Sequence, residues 1–424
     1  MQHTLENTIA ESAFSEFENK QASLAQVNNK LRKQAFDAFT ANGFPTTKNE
    51  EWKYCDVSTL MQTPLATSAQ SQNKTTIDLP LLNDAIVLVF ENGLFNESLS
   101  QYTSLPKGLT IELLQNTKHE AATKHYQQYA DNQMAFSALN TAFNTGGLFI
   151  HAADQAIIND NIFIINRVSN LQNNATYCRN LIIAGTNAQM QVSLLTISSN
   201  ATGYLNVVNE LVALQNANLS FDFIQNDVDT LSQISNTYVY QKTQSTFTIN
   251  TVTLGGKLVR NNLNMMLADA NIETHLNGLF VINGKSLVDN HTAVHHAQPN
   301  CNSNQLYKGI VSQNATGVFN GKIFVYKDAQ KTNAYQSNKN VLLSDDAKMF
   351  AKPQLEIYAD DVKCSHGATT GQLDNEALFY LRSRGINLPD AQALLNFAFA
   401  SDVLQNIKHE ALHKYTVALL AQKL

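Results

Sequence analysis

Residues 216–223 read NANLSFDF, and this octet shows in miniature how the middle of the chain is built. An Asn-Ala pair is followed by apolar residues at every second position, namely Leu219, Phe221 and Phe223. Alternation with a period of two predicts a β-strand with one buried face. Asn accepts the left-handed backbone of a tight turn. The octet therefore predicts a turn that leads directly into a strand.

The same opening recurs along the chain. An Asn-Ala or Asp-Ala pair precedes a strand-like run at Asn187-Ala188, Asn216-Ala217, Asp269-Ala270, Asn314-Ala315 and Asp346-Ala347. Successive alanines of these pairs lie 29, 53, 45 and 32 residues apart. Each gap fits one or two turns of a solenoid with roughly 20–30 residues per turn. A β-sandwich with chance Asn-Ala pairs accounts for the same residues, so the repeat alone leaves both folds open.

The texture of the sequence divides the chain into three regions. Residues 1–145 combine helical spacing of apolar residues with a strand-like run at 85–90 and a second helical stretch at 119–143. Residues 146–372 alternate short apolar runs with Asn, Gly and Asp turns. Residues 373–424 return to helical spacing. We therefore predict a helical or mixed N-terminal domain, a β core and a C-terminal helical domain.

Two local signals place helix ends in the last region. Gly385 follows an apolar stripe and is predicted to cap the end of the first helix there. Ser401 and Asp402 are residue types that cap helix starts, so they predict the beginning of a third helix.

Composition limits the classes of function. The net charge is -6, which leaves no basic excess to neutralise phosphates and argues against nucleic acid as a partner. We find no signal segment and no uncharged apolar run approaching the roughly 18 residues of a membrane span. The cysteines lie far apart in sequence without a CxxC pair, at Cys55, Cys178, Cys301 and Cys364. We expect reduced thiols and a cytoplasmic protein that does not bind membranes.

Familiar catalytic motifs are missing from the sequence. Residues 255–257 read GGK but lack the spacing of a phosphate-binding loop, so they are predicted to form a turn between strands. The dinucleotide, zinc-protease and serine-hydrolase motifs are missing too. We therefore expect a protein that is not an enzyme. A β-helix enzyme acting on carbohydrate is the alternative, although its clustered carboxylates are sparse in the β region.

His291, His295 and His296 form the first group of possible metal ligands. In a strand, His291 and His295 share one face while His296 points to the other. Two imidazoles on one face could bind zinc or iron, which would suit a stand-alone metal-binding protein. The favoured interpretation is that the three histidines make hydrogen bonds within the fold, because no Cys or carboxylate at a fixed spacing completes a metal site.

Cys364 and His366 form the second group. Two residues apart on an extended strand, both side chains point to one face. Thiolate and imidazole are both ligands that cluster iron accepts, but two ligands alone cannot hold a cluster. The spacing by itself equally fits a buried Cys beside a hydrogen-bonded His.

Several long stretches resemble the SufB/SufD family of iron–sulfur cluster assembly proteins, in its D-type form. The resemblance is strongest over residues 285–405. The matching stretches are EWKY at 51–54, QLYKG at 305–309, VFNGKI at 318–323, AQKTNAYQSN at 329–338, PQLEIYADDVKCSHGA at 353–368, GQLD at 371–374 and LFYLRSRGI at 378–386. A match this long is far more specific than a short motif.

The resemblance favours the D-type over the B-type paralogue. The B-type pattern carries a cysteine just before the strand that corresponds to residues 341–345. This chain has Asn338 near that place and no cysteine between residues 302 and 363. The string DVKCSHGA at 361–368 is also the D-type version.

The resemblance implies a fold and a set of partners. The fold is a mainly β protein, a right-handed parallel β-helix flanked by helical domains at 1–145 and 373–424. The partners are a B-type paralogue, paired through the last strands of the β-helix, and two copies of a small ABC-type ATPase. A homodimer is plausible for the isolated chain. The implied role is that of a scaffold that builds and transfers nascent clusters.

The resemblance also implies site residues. His366, with Cys364 beside it, is the candidate ligand of a nascent cluster shared with the B-type partner, and no cofactor is expected to bind the isolated chain tightly. The C-terminal helices are expected to dock the ATPase, through Leu378, Phe379, Tyr380, Arg382, Arg384 and Gly385.

Overall fold

Two long β-sheets are wound from strands that alternate along the chain. The structure is a computed structural model that describes residues 11–15, 17, 29–65, 79 and 85–424. From β4 onward, successive strands belong alternately to the two sheets, and neighbours within each sheet run parallel. This is the parallel β-solenoid that the sequence predicted, with helices on both sides of it in the chain.

The first sheet contains ten strands of the described residues. They are β1 Ile86–Glu91, β2 Leu94–Phe95, β5 Ile162–Ser169, β7 Gln189–Ser199, β9 Asn218–Asn226, β11 Thr246–Thr253, β13 Glu273–Ile282, β15 Asn302–Val311, β17 Asn333–Leu342 and β19 Lys363–Gly371.

The second sheet contains nine strands within the same ranges. They are β3 Leu109–Leu113, β4 Gly147–Ala152, β6 Asn174–Ala184, β8 Gly203–Ala213, β10 Leu231–Gln241, β12 Leu258–Leu267, β14 Leu287–His296, β16 Thr316–Val325 and β18 Lys348–Ile357. The turn predicted at residues 255–257 lies between β11 and β12. β1 lies in the first sheet and β3 lies in the second, so part of the segment before residue 146 belongs to the solenoid. The domain boundaries after residues 145 and 372 stay predictions.

One coil of the solenoid takes about 30 residues. Glu273, Asn302, Asn333 and Lys363 stand at the same register in successive strands of the first sheet. The prediction that the 45 residues between Ala270 and Ala315 span a whole number of solenoid turns is wrong. The first three Asn-Ala or Asp-Ala pairs lead into the first sheet, whereas the last two lead into the second sheet.

At two of the five pairs, the backbone of the corner explains the choice of Asn. Asn187 and Asn216 adopt left-handed backbone, with φ of +57° and +55°. The Asn216 side-chain amide also donates to Asn187 Oδ1 over 2.8 Å, so equivalent corners are bonded to each other. An Asn at such a corner supplies both the turn and a ladder between coils.

Helices pack on the outside of the solenoid. They are α1 Asn29–Asn42, α2 Glu120–His125, α3 Ala135–Phe143, α4 Asn375–Ser383, α5 Leu388–Leu404 and α6 Glu410–Ala421, with short 3-10 turns at Glu50–Trp52, Leu60–Gln62 and Glu97–Leu99. The helical stretch predicted at 119–143 is thus two helices. None of the described helices is both long and apolar enough to cross a bilayer.

One of the two predicted helix signals in the last region is confirmed and the other is wrong. Gly385 has a φ of +89° just after α4, as expected of a helix C-terminus. Ser401 and Asp402 lie inside α5 and do not begin a helix. The third helix begins at Glu410, where His409 Nδ1 accepts a hydrogen bond from the Leu412 N–H over 2.9 Å.

The core changes character along the solenoid. Apolar side chains such as Phe221, Phe247 and Leu276 fill the interior of the middle coils and are fully buried. In β17 the inward-facing residues are mostly amides, with Gln336, Asn338 and Asn340 all buried. β17 therefore contributes a mainly polar face to the interior.

Candidate functional site

The last coil of the solenoid lies open. Among the described residues, β18 pairs only with β16 and β19 pairs only with β17. No residue of β18 or β19 is fully buried, whereas most residues of β16 are. A strand at the edge of a sheet presents unpaired N–H and C=O groups, so this coil offers a template for a further strand.

Cys364 and His366 lie on this open coil and share one face, as their spacing predicted. Register pairs Cys364 with Ala334 and His366 with Gln336, and both partners are buried inside the preceding coil. Both side chains thus belong to the inner face of the last coil. The sequence could not show that no other described coil covers this inner face.

The environments of the two side chains differ. Cys364 is half-buried against a small apolar cluster that includes Ala334, and burial raises the pKa of its thiol. His366 is exposed. The imidazole is therefore the more accessible ligand, while the thiol needs a metal or a base to become a thiolate.

A column of polar side chains continues from this face into the interior. Gln305 Nε2 donates to Thr292 Oγ1 over 2.6 Å, and Gln336 Nε2 donates to Gln305 Oε1 over 2.9 Å. All three side chains are buried. The column ends beside His366, which is the register neighbour of Gln336.

Residues 50–54, with the sequence EEWKY, form what we call the strap, which crosses the outer face of the second sheet. The Trp52 ring lies 3.8 Å from the Arg260 guanidinium carbon on β12. Glu50 forms an ion pair with Lys352 on β18, and the Tyr54 ring stacks on Phe350 of that strand at 4.1 Å between centroids. The strap therefore joins an inner coil to the open one.

Glu51 is the electrostatic centre of the strap. Its carboxylate contacts His291 Nδ1 at 3.2 Å and also pairs with Lys322. The hydrogen bond from His291, with that from Lys322, lowers the pKa of Glu51 to about 2 despite partial burial. The neighbouring Asp289 is buried. Burial by itself would raise the pKa of Asp289, but the nearby Arg260 and His291 have the larger effect, so the pKa is lowered. Sequence reasoning missed this network because its members are far apart in the chain.

The three histidines of β14 take the hydrogen-bonded places that we favoured from the sequence. His291 contacts Asp289 and Glu51 on the outer face. His295 shares that face and bonds Tyr326 over 2.9 Å, while His296 points inward and bonds Ser303 over 2.9 Å. Within the described ranges, no three His, Cys, Asp or Glu side chains are grouped to hold a metal ion.

The helix α4 presents the residues predicted to dock a partner. Phe379 is 75% exposed and Tyr380 is 56% exposed. Arg384 donates to the Tyr380 hydroxyl over 3.3 Å, and Arg382, Arg384 and Gly385 are exposed, while Leu378 is half-buried. Phe379 and Tyr380 are thus two adjacent exposed aromatic side chains on the surface of α4.

Lys308 fastens the C-terminal helices to the solenoid and was not singled out from the sequence. The Lys308 side chain is buried. Its ammonium group donates to the Phe399 carbonyl over 2.8 Å and pairs with Asp402 at 2.5 Å. The Asp402 carboxylate thus pairs with Lys308 from within α5 and does not cap a helix start. Through it, α5 is fixed to β15, two strands away from the open coil.

Comparison with known proteins gives a consistent result. The family model described as "SUF system FeS cluster assembly, SufBD core domain" matches residues 164–399, and "SufBD protein N-terminal region" matches residues 11–164. An iron–sulfur cluster assembly SufBD family protein of Synechocystis is 33% identical over 396 residues, covering 89% of this chain and 86% of that protein. The iron–sulfur cluster assembly protein SufD of Escherichia coli is 30% identical over 399 residues, covering 90% of each.

Proposed function

The chain belongs to the SufBD family of iron–sulfur cluster assembly proteins, and from this premise we propose that it is a D-type scaffold subunit that builds nascent clusters together with a B-type paralogue. The observation that carries the proposal is the open last coil, which presents an exposed His366 beside unpaired strand edges. In this proposal the cluster is the cargo of the protein and not a resident cofactor.

The unpaired edges of β18 and β19 support pairing with a paralogue. A second solenoid that ends in an open coil could continue both sheets across the junction, and this would satisfy the edge N–H and C=O groups. In the absence of the paralogue, a second copy of this chain is the natural substitute.

We propose that His366 supplies one ligand to the cluster at this junction. Cys364 is the weaker candidate, because it already packs against the apolar cluster that includes Ala334. The remaining ligands would come from the B-type partner, since these two residues cannot hold a cluster alone. An imidazole in place of a thiolate suits a site that must release its cargo.

The test of ligation is cluster assembly by the complex. We would co-express this chain with a B-type paralogue and the ATPase, purify the complex anaerobically and record its absorbance. His366→Ala should leave the size-exclusion profile unchanged and lower the cluster content several-fold. The matched control is Ser365→Ala, on the opposite face of β19. Wild-type cluster content in His366→Ala would refute ligation by this residue.

The exposed aromatic residues of α4 support a docking site for an ABC-type ATPase. ATP would be hydrolysed in that partner, since this chain has no phosphate-binding loop, and we propose that the chain is not itself an enzyme. Phe379→Ser should weaken capture of the ATPase, and truncation before Leu373 should abolish it. Ile157→Ser is the control, because Ile157 is 63% exposed but lies outside the C-terminal helices. Unchanged capture by the truncated chain would refute this docking site.

We also propose a cytoplasmic location for the protein. Neither alternative from the sequence, the carbohydrate-active enzyme or the stand-alone metal-binding protein, is favoured by an observation in the described part of the chain.

A further inference from the structure

The polar column beneath His366 has a fixed direction. Gln336 uses its Nε2 to donate to Gln305 on β15, and Gln305 in turn donates to Thr292. Since the amide nitrogen of Gln336 is engaged on the β15 side, its oxygen remains for the β19 side. The register neighbour of Gln336 on β19 is His366.

That oxygen is the unusual atom. Gln336 Oε1 is buried and accepts no hydrogen bond from any described residue. Buried acceptors are almost always paired, and an unpaired one costs free energy. Next to it lies a side chain whose neutral ring carries one N–H donor. Neighbouring strands are about 4.8 Å apart, so an imidazole folded over Gln336 reaches this oxygen.

The position of Gln336 is enforced from the other sheet. Gly321 on β16 faces it, and a Cβ at residue 321 would lie 2.3 Å from Gln336 Nε2. Any other residue at position 321 would displace the amide. The fold therefore leaves space for this glutamine, because only glycine at position 321 lacks the Cβ that would displace it.

We propose that Gln336 is a positioning residue for His366, whose Oε1 accepts the N–H of one ring nitrogen and so directs the other nitrogen, unprotonated, out of the open coil toward iron. A metal-binding histidine commonly donates its second ring N–H to a neighbouring acceptor, which fixes the tautomer and the orientation of the ring. The inference rests on the proposed function, in which His366 is a cluster ligand.

The test reads the tautomer of His366 directly. In the full chain labelled with 15N-histidine, ring nitrogen shifts report which nitrogen is protonated, with His366→Ala used to assign the signals. The wild type should show one predominant tautomer. Gln336→Met, which keeps the length but removes the acceptor, should give a mixture close to that of free imidazole. Gln336→Glu keeps an acceptor beside His366, because its carboxylate accepts the ring N–H, so the ring nitrogen that is protonated in wild type should stay protonated.

Thr292→Val separates positioning from a merely structural role. It removes the far end of the column but leaves Gln305 Oε1 to accept from Gln336, so it should lower thermal stability and leave the tautomer of His366 as in wild type. A wild-type tautomer in Gln336→Met would overturn the proposal. So would a mixture in folded Gln336→Glu, which serves as the decisive variant if Gln336→Met does not fold.

A second readout uses Fe²⁺ alone. The complex with the B-type paralogue should bind Fe²⁺ about 10-fold more weakly when it carries Gln336→Met, the lower end of the effect of losing such a neighbour. Unchanged Fe²⁺ affinity would overturn the positioning role. If His366→Ala retained full cluster assembly, the proposed ligation would fail, but the control of the His366 tautomer by Gln336 would still be decided by the nitrogen shifts.

Discussion

The inner coils and the last coil of this solenoid share one design but differ in burial. Leu276 on β13 and Leu355 on β18 are both inward-facing leucines, yet Leu276 is fully buried while Leu355 is only half-buried. β13 has a parallel neighbour on each side, whereas β18 has one among the described residues. The last coil is therefore built like an inner coil without its cover, which is the property expected of a surface that receives another chain.

The largest expected effect on the free energy of unfolding comes from shortening these two leucines. Leu276→Ala should lower the free energy of unfolding by about 3 kcal/mol, because it leaves a cavity that the packed interior cannot close. Leu355→Ala should cost about 1 kcal/mol, since its site is open to water. Urea denaturation followed by circular dichroism measures both. Equal losses would show that the last coil is as tightly packed as the inner ones.

The next effect compares two ion pairs. Arg260 and Asp289 pair over 2.6 Å and are almost completely buried. Asp289→Ala should cost about 3 kcal/mol, because it leaves a buried guanidinium uncompensated. Lys352→Met removes the exposed pair with Glu50 on the last coil and should hardly move the urea midpoint. A large loss in Lys352→Met would mean that the strap holds the last coil mainly by charge.

The smallest effect concerns acid stability. The pKa of Glu51 is about 2 in the folded protein, below the roughly 4.3 of an unfolded chain. A depressed carboxyl pKa stabilises the fold above the unfolded pKa, and this contribution is lost as the pH falls from about 5 to about 2. Since Glu51 is 43% exposed, we discount the contribution to about 1 kcal/mol.

Glu51→Gln should accordingly flatten the acid limb of the stability profile, measured as the urea midpoint against pH. The control is Glu112→Gln, which changes an exposed side chain on β3. An unchanged acid limb in Glu51→Gln would show that the contacts of this carboxylate with His291 and Lys322 add no measurable stability.

The sequence could predict what is local. The left-handed corners at Asn187 and Asn216 follow from the Asn-Ala pairs, and the common face of Cys364 and His366 follows from the period of a strand. Local signals also misled, since Ser401 and Asp402 resemble a helix cap, but both lie inside α5, where Asp402 pairs with Lys308.

What lay beyond prediction depends on how coils stack. No local pattern places Gln336 under His366, because that pairing requires the length of every corner between them. The contacts of Glu51 with His291 and Lys322 likewise join segments separated by more than 200 residues.

The strap also has a consequence for the order of events during synthesis. A coil meets its neighbour after about 30 residues, so coils can stack while the chain leaves the ribosome. Glu50 must wait for Lys352, which is made 302 residues later. At translation rates of 5–20 residues per second, that wait lasts roughly 15 to 60 seconds. The contact between the strap and the last coil therefore forms late. A polypeptide that ends before Lys352 could stack most of its coils, but its Glu50 would lack this ion-pair partner.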